Sequence, residues 1–183
     1  MKEWEHRIFS LPIWGVMLND QVYQSKNYLD TILDLEKNQP SQKKSNFGGY
    51  QTHDKLHEIP IFKEFVEALE NIGNKISINY TPEKLKIMEM WGNINYYKDS
   101  NAHHIHGGAI SGVFYLETPE NCGRLILNNP AVRSDGKLFK NLNYPIDPVK
   151  LACIFFPSWL EHYVEPNLSN QRRTSISFNL DIV

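Results

Sequence analysis

From about residue 85 to its end the chain is written in short β-like runs, roughly 86–97, 109–117, 123–128, 151–156, 160–165 and 173–182, separated by Gly, Pro and Asn. Many short strands with this punctuation predict an antiparallel sandwich, jelly roll or barrel. The region before residue 85 has a different period. Residues 7–18 alternate around Phe9, Leu11 and Ile13 and read as a strand, with Pro12 pointing to a sheet edge. Asn19 or Asp20 is positioned to cap a helix in which Val22, Leu29, Ile32, Leu33 and Leu35 recur at helical spacing. Residues 38–59 are polar, with Pro and a Gly pair, and read as a loop; Pro60 then opens a second helix with Phe62, Phe65, Val66, Leu69 and Ile72 in one stripe. Helices that precede the strands, instead of alternating with them, disfavour a parallel α/β sheet. The expectation is a mainly β fold with N-terminal helices (α+β), the helices buttressing a β-roll.

Composition bounds what such a roll can do. At 183 residues, with 41% hydrophobic and 22% charged, the chain suits one globular domain with its own core. The expected organisation is a single domain over 1–183, with 1–85 as buttress and 86–183 as functional core. A formal charge of −2 without a long basic run gives no strong nucleic-acid signal. Cys122 and Cys153 are too few for a secreted disulfide framework, and MKEWEHRIFSLPIWGVML carries charges where a signal peptide needs an apolar run. No segment has the apolar length of a membrane span. These features lead us to expect a cytoplasmic protein. A homodimer is compatible with the sequence, which does not fix the oligomeric state.

The chemistry concentrates in two segments. In NAHHIHGG (101–108), side chains two apart on a strand share a face, so His104 and His106 can share one metal while Ile105 points away. His162 follows 58 positions later in FPSWLEHYVEP, inside another β-like run. Three imidazoles suit iron, zinc, copper or nickel. A bare HxH is equally compatible with solvated or core histidines, and His103 is assigned to that ordinary class because it leaves the opposite face.

The chain's end adds a second constellation. In QRRTSISFNLDIV, Arg173, Ser175, Ser177 and Asn179 fall on one face and Thr174, Ile176, Phe178 and Leu180 on the other. Arg173 with Ser175 offers a guanidinium fork and a hydroxyl to a carboxylate; Arg172 falls on the apolar face. The ten residues between His162 and Arg173 include PNLSNQ, which reads as a hairpin turn laying the arginine strand beside the histidine strand. In WGNINYY, Trp91, Asn93, Asn95 and Tyr97 share a face, so the two amides could reach a metal-bound ligand or could serve ordinary sheet hydrogen bonds. Tyr96, Tyr97, Arg124 and Arg133 are near enough in sequence to contact such a site, or to be structural.

Taken in order, WGNIN, NAHHIHGGAISGVFYL, GRLILNNP, FPSWLEHYV and RRTSISFNL resemble the 2-oxoglutarate/Fe(II)-dependent oxygenase superfamily, and most closely a small bacterial and phage family with an HxH…H motif. The N-terminal FSLPIW and SNFGGYQT segments fit it too. The resemblance implies a double-stranded β-helix (cupin-like jelly roll), Fe(II) held by His104, His106 and His162, and 2-oxoglutarate held by Arg173 and Ser175 with Asn93 and Asn95 nearby. It implies a dioxygenase that consumes 2-oxoglutarate and O2, releases succinate and CO2, and hydroxylates a further, unidentified substrate. One feature departs from the superfamily: its usual triad has a carboxylate two residues after the first histidine, where this chain has His106. Two other readings remain at this stage. A cupin-like three-histidine metal enzyme would ordinarily need a ligating Glu four or five residues after HxH, where Ile110 and Ser111 stand. A non-catalytic β-roll binding module would have no use for an intact His, Arg and Ser set.

Overall fold

The computed structural model describes residues 11–19, 25–131 and 143–183. Residues 7–10 of the expected first strand, the Asp20 cap, Val22 and Arg133 lie outside these. The first described strand is β1 (Trp14–Met17), followed by helix α1 (Ser25–Asn38), the two-residue strands β2 (Asn46–Phe47) and β3 (Tyr50–Gln51), and helix α2 (Lys63–Ser77). Eight further strands complete the order: β4 (Leu85–Asn95), β5 (Ser100–His104), β6 (Ile110–Glu117), β7 (Leu125–Asn128), β8 (Asn143–Ile146), β9 (Ala152–Pro157), β10 (His162–Val164) and β11 (Arg173–Ile182). They form two antiparallel sheets, β1-β9-β6-β11-β4-β3 and β2-β5-β10-β7-β8, in a helix-buttressed jelly roll. Among the described residues, no helix is long and apolar enough to cross a membrane.

The alternation of β11 explains the layering. Paired with β4 on one side and β6 on the other, it is central in the larger sheet, and its two faces meet different surroundings. Ile176, Phe178 and Leu180 join Met90, Ile94, Phe114 and Phe155 in an apolar layer beneath the helices. The helices answer with Ile32 from α1 and Phe65 and Leu69 from α2, all fully buried, on the stripe that helical spacing predicts. Gly92 lets α1 come this close, since a Cβ there would lie 2.9 Å from the Ile32 side chain. A smaller cluster of Val113, Tyr115, Leu125, Leu127, Phe156 and Leu160 fills one part of the seam between the sheets. Another part of the seam is a polar cavity.

Two expectations need correction. The segment 38–59 is not all loop, for it contributes β2, β3 and the single 3-10 turn Leu56–Glu58. Strands β2 and β3 exist through distant partners, Asn46 opposite Asn101 and Gln51 opposite Asn93, which local composition does not reveal. The histidine and arginine strands, moreover, are not neighbours in a hairpin. Strand β10 lies in the five-stranded sheet and β11 in the six-stranded one, so the connection crosses from one layer to the other. Asn167, fully buried in that crossing, donates to the carbonyls of Asn95 and Gln171 and fixes the corner.

Candidate metal centre

His104 ends β5 and His162 begins β10, and the two stand directly opposite each other in the antiparallel register. His106 lies just past the end of β5, so strand parity alone does not aim it. Its backbone N–H donates to the carbonyl of Ser158 at 3.0 Å, which turns the chain inward. The three ring centroids are 4.3, 4.7 and 5.1 Å apart, and one nitrogen from each ring lies within 4.8 Å of the others. Nδ1 of His104 faces the carbonyl of Ala102 at 2.6 Å, and Nδ1 of His162 faces that of Leu160 at 2.8 Å. A carbonyl can only accept, so each Nδ1 carries the proton and each Nε2 is left with a lone pair for a metal.

Electrostatics favour the same state. Burial disfavours the imidazolium form, lowering His104, bringing His106 to about 3 and His162 to about 4, with neighbouring imidazoles adding to the effect in all three. Three neutral imidazoles on rigid backbone are a fitting donor set for a first-row divalent cation. His103 takes no part. It stacks on Tyr163 at 4.2 Å, and its Nδ1 accepts from Asn128 at 3.0 Å.

The histidines line a cavity of about 520 Å³ that also reaches Arg173, Asn93 and Tyr115. Arg173 is only 3% exposed, yet no carboxylate among the described residues pairs with it. Among the described residues its guanidinium makes one hydrogen bond, a long one of 3.5 Å from Nη1 to the carbonyl of Gly123, and its guanidinium carbon lies 5.9 Å from the Tyr115 ring centroid. Burial lowers its pKa by penalising the cation. Arg173 Nε, the hydroxyls of Ser175 and Tyr115, and Oδ1 of Asn95 are all buried without a hydrogen-bond partner among the described residues. Such orphaned groups are rare in a folded chain, and a cation beside two hydroxyls in want of partners suits a ligand carboxylate, whereas the Asn95 oxygen can only accept. Arg172, on the other face, is paired with Glu117 at 2.6 and 3.0 Å.

The amides divide. Asn93 lines the cavity and donates to Ser177 Oγ at 3.1 Å, whereas Asn95 donates to Asn101 at 3.3 Å with its oxygen unpaired. Tyr96 bonds Glu36, Tyr97 is exposed, and Arg124 pairs with Glu165; none of the three lines the cavity. Sequence reasoning did not single out Tyr115. Its signal was present, because in ISGVFYLE it alternates with the apolar layer formed by Phe114 and Leu116.

Three inward imidazoles and an arginine with no carboxylate partner among the described residues line one cavity of this jelly roll, a donor set for a divalent cation beside a grip for a carboxylate. Residues 89–179 match the family model described as "Putative 2OG-Fe(II) oxygenase", and over that span the chain belongs to the 2OG-Fe(II) oxygenases, whose cofactor is Fe(II) and whose co-substrate is 2-oxoglutarate. Solved structures share the fold at low identity. A Pseudomonas putida prolyl-4-hydroxylase is 16% identical, with 93% of each chain covered and a TM-score of 0.65. The viral collagen prolyl hydroxylase of Paramecium Bursaria Chlorella virus-1, solved with 2OG, is 15% identical, with 93% of this chain and 96% of that one covered and a TM-score of 0.67. The α-ketoglutarate-dependent epimerase SnoN of nogalamycin biosynthesis reaches a TM-score of 0.72 at 11% identity, covering 94% of this chain and 77% of that one. No sequence match was found among curated proteins.

Proposed function

We propose that the protein is a 2-oxoglutarate-dependent dioxygenase that hydroxylates a further substrate. In this reading His104, His106 and His162 hold Fe(II). Arg173 and Ser175, with the Tyr115 hydroxyl, hold the distal carboxylate of 2-oxoglutarate, and Asn93 and Asn95 contact the bound co-substrate. Fe(II) and 2-oxoglutarate together supply the oxygen-activating chemistry, with succinate and CO2 as by-products. The chain itself orients the reactants. Carbonyls behind His104 and His162 fix the tautomers that present Nε2. Arg173, deep in the seam and with no carboxylate partner among the described residues, sets the direction of the dicarboxylate. The apolar cluster of Leu125, Leu127 and Phe156 beside them limits water around the reacting atoms.

The observation that carries this reading is the buried, uncompensated Arg173 on the same cavity as three neutral histidines. An ion pair inside the protein would have made it a structural arginine. Anaerobic titration with Fe(II) and then 2-oxoglutarate tests the proposal through the visible charge-transfer band of the chelate. A protein that binds iron but develops no band with 2-oxoglutarate would support a three-histidine metal enzyme of another kind.

A further inference from the structure

The inner face of the larger sheet is a ladder of paired side chains. Along the β4–β11 register the pairs run Asn95 with Arg173, Asn93 with Ser175, Trp91 with Ser177, and Glu89 with Asn179. Six residues of strand separate Arg173 from Asn179, about 20 Å at the usual rise. Charge reverses along that length. Arg173 stands at the buried end and exposed Glu89 at the other. Trp91 lies between, with its ring 5.3 Å from that of His106.

A second carboxylate joins Glu89. The Met90 N–H donates to the carbonyl of Asp54 at 2.8 Å, which brings Asp54 alongside Glu89, and both line the cavity. Asn179 donates to Oε2 of Glu89 at 2.7 Å and holds that carboxylate in place, while Oε1 has no partner among the described residues. Asp54 has no side-chain partner there either. Lys44 also lines the cavity, but it extends from the segment beside β5 in the facing sheet. Independently, Gln51 is 6% exposed, lines the same cavity, and its side-chain amide makes no hydrogen bond among the described residues. With the residue buried and its amide open to the cavity, that side chain is placed to bond a polar ligand beyond the metal.

We propose that the primary substrate carries a cationic group, an ammonium or guanidinium, which docks against Asp54, Glu89 and the face of Trp91 while Gln51 bonds a polar group nearer the metal. The proposal rests on the dioxygenase reading, which assigns the Arg173 end to 2-oxoglutarate and so leaves the Glu89 end to the substrate. Two carboxylates and an indole face attract a cation. They repel an anion of the same shape.

The test uses the full chain loaded with Zn(II), as a diamagnetic stand-in for iron, and 2-oxoglutarate, titrated with n-hexylamine, n-hexanol and n-hexanoate. Side-chain NMR resonances of Trp91 and Gln51 report binding. Saturable shifts with hexylamine, weaker ones with hexanol and none with hexanoate are expected. In E89Q, which keeps an acceptor for Asn179, and in the D54N/E89Q double variant, hexylamine affinity should fall roughly three- to tenfold, and added salt should mimic the loss. Hexanoate binding as well as hexylamine, amine binding unchanged in the double variant, or no saturable shift with hexylamine would each overturn the proposal. The 2-oxoglutarate signals in the same wild-type sample separate the two readings. If 2-oxoglutarate fails to bind, the functional reading fails and takes this one with it; if it binds and the amine series fails, only the cation subsite is lost.

Discussion

Ser175 on β11 stands directly opposite Tyr115 on β6, and both hydroxyls are buried without a hydrogen-bond partner among the described residues. Such a pair costs stability in the empty protein and returns it when a ligand arrives. Tyr115→Phe and Ser175→Ala should therefore each weaken 2-oxoglutarate binding by roughly tenfold, at about 1.5 kcal/mol for a bond to a charged group. The ligand-free protein should melt at the same temperature or higher. Co-substrate titration beside a thermal melt checks both signs, and a lower melting point with intact affinity would make the pair structural.

The two adjacent arginines should behave differently. Arg173→Ala is expected to cost about 1.5–3 kcal/mol of 2-oxoglutarate affinity, roughly ten- to a hundredfold, while leaving metal affinity in place. Arg172→Ala removes only its partly exposed pairing with Glu117, so co-substrate affinity should hold and stability should fall by less than about 1 kcal/mol. Equal losses of affinity from the two substitutions would refute the assignment.

His106→Ala should weaken metal binding and His103→Ala should not, because His103 stacks on Tyr163 outside the cluster. His106→Asp should retain iron, since a carboxylate oxygen suits Fe(II) at that position. A crystal structure with metal would give ring nitrogens of His104, His106 and His162 at about 2.0–2.3 Å from the ion. Water or chloride in the place of His106 would reduce the ligand set to two histidines.

The metal-free protein should lose stability in mild acid. In the folded chain His106 titrates at about 3 and His162 at about 4, whereas an unfolded histidine titrates near 6.5. Between those values the unfolded chain binds more protons, so stability rises with pH and is lost as pH falls below about 6.5. Urea midpoints of the chelated protein across that range should decline with acidity, and His106→Asn should flatten the slope.

Gly112→Ala tests the central sheet. A Cβ there would lie 2.3 Å from Phe178 Cζ and 2.8 Å from the backbone oxygen of Ile154, and that carbonyl cannot rotate aside. A loss of about 1–3 kcal/mol is expected from chemical denaturation, as for other overpacked cores. A neutral result would mean that the Phe178 ring and the β9 backbone yield more readily than the packing implies.

Much of the architecture was legible because it is periodic. The two-residue period of β11 separates Arg173, Ser175, Ser177 and Asn179 from Ile176, Phe178 and Leu180, and the 3.6-residue period of α2 gathers Phe65 and Leu69. Where pairing is non-local, that signal failed. Strands β2, β3 and β8 are too short to show a period, and Asn46 and Gln51 acquire extended partners only from distant residues of their own sheets. Tyr115 was hidden differently, since an aromatic residue in an apolar strand reads as core until its hydroxyl proves buried and alone.

By itself the sequence determined which residue types could do chemistry and which of them share a face, because side-chain direction along a strand or helix is a local property of the backbone. It supplied three histidines, an arginine on a polar strand face and an order of helices before strands. Tertiary structure decided what those faces confront. The PNLSNQ segment could have closed a hairpin, but with Asn167 anchored to the carbonyl of Asn95 it carries the chain from one sheet to the other. That crossing sets Arg173 on one wall of the seam and His162 on the other, with a cavity between them. A loop's destination depends on contacts with residues far along the chain, here some 72 positions away, and no local pattern encodes them.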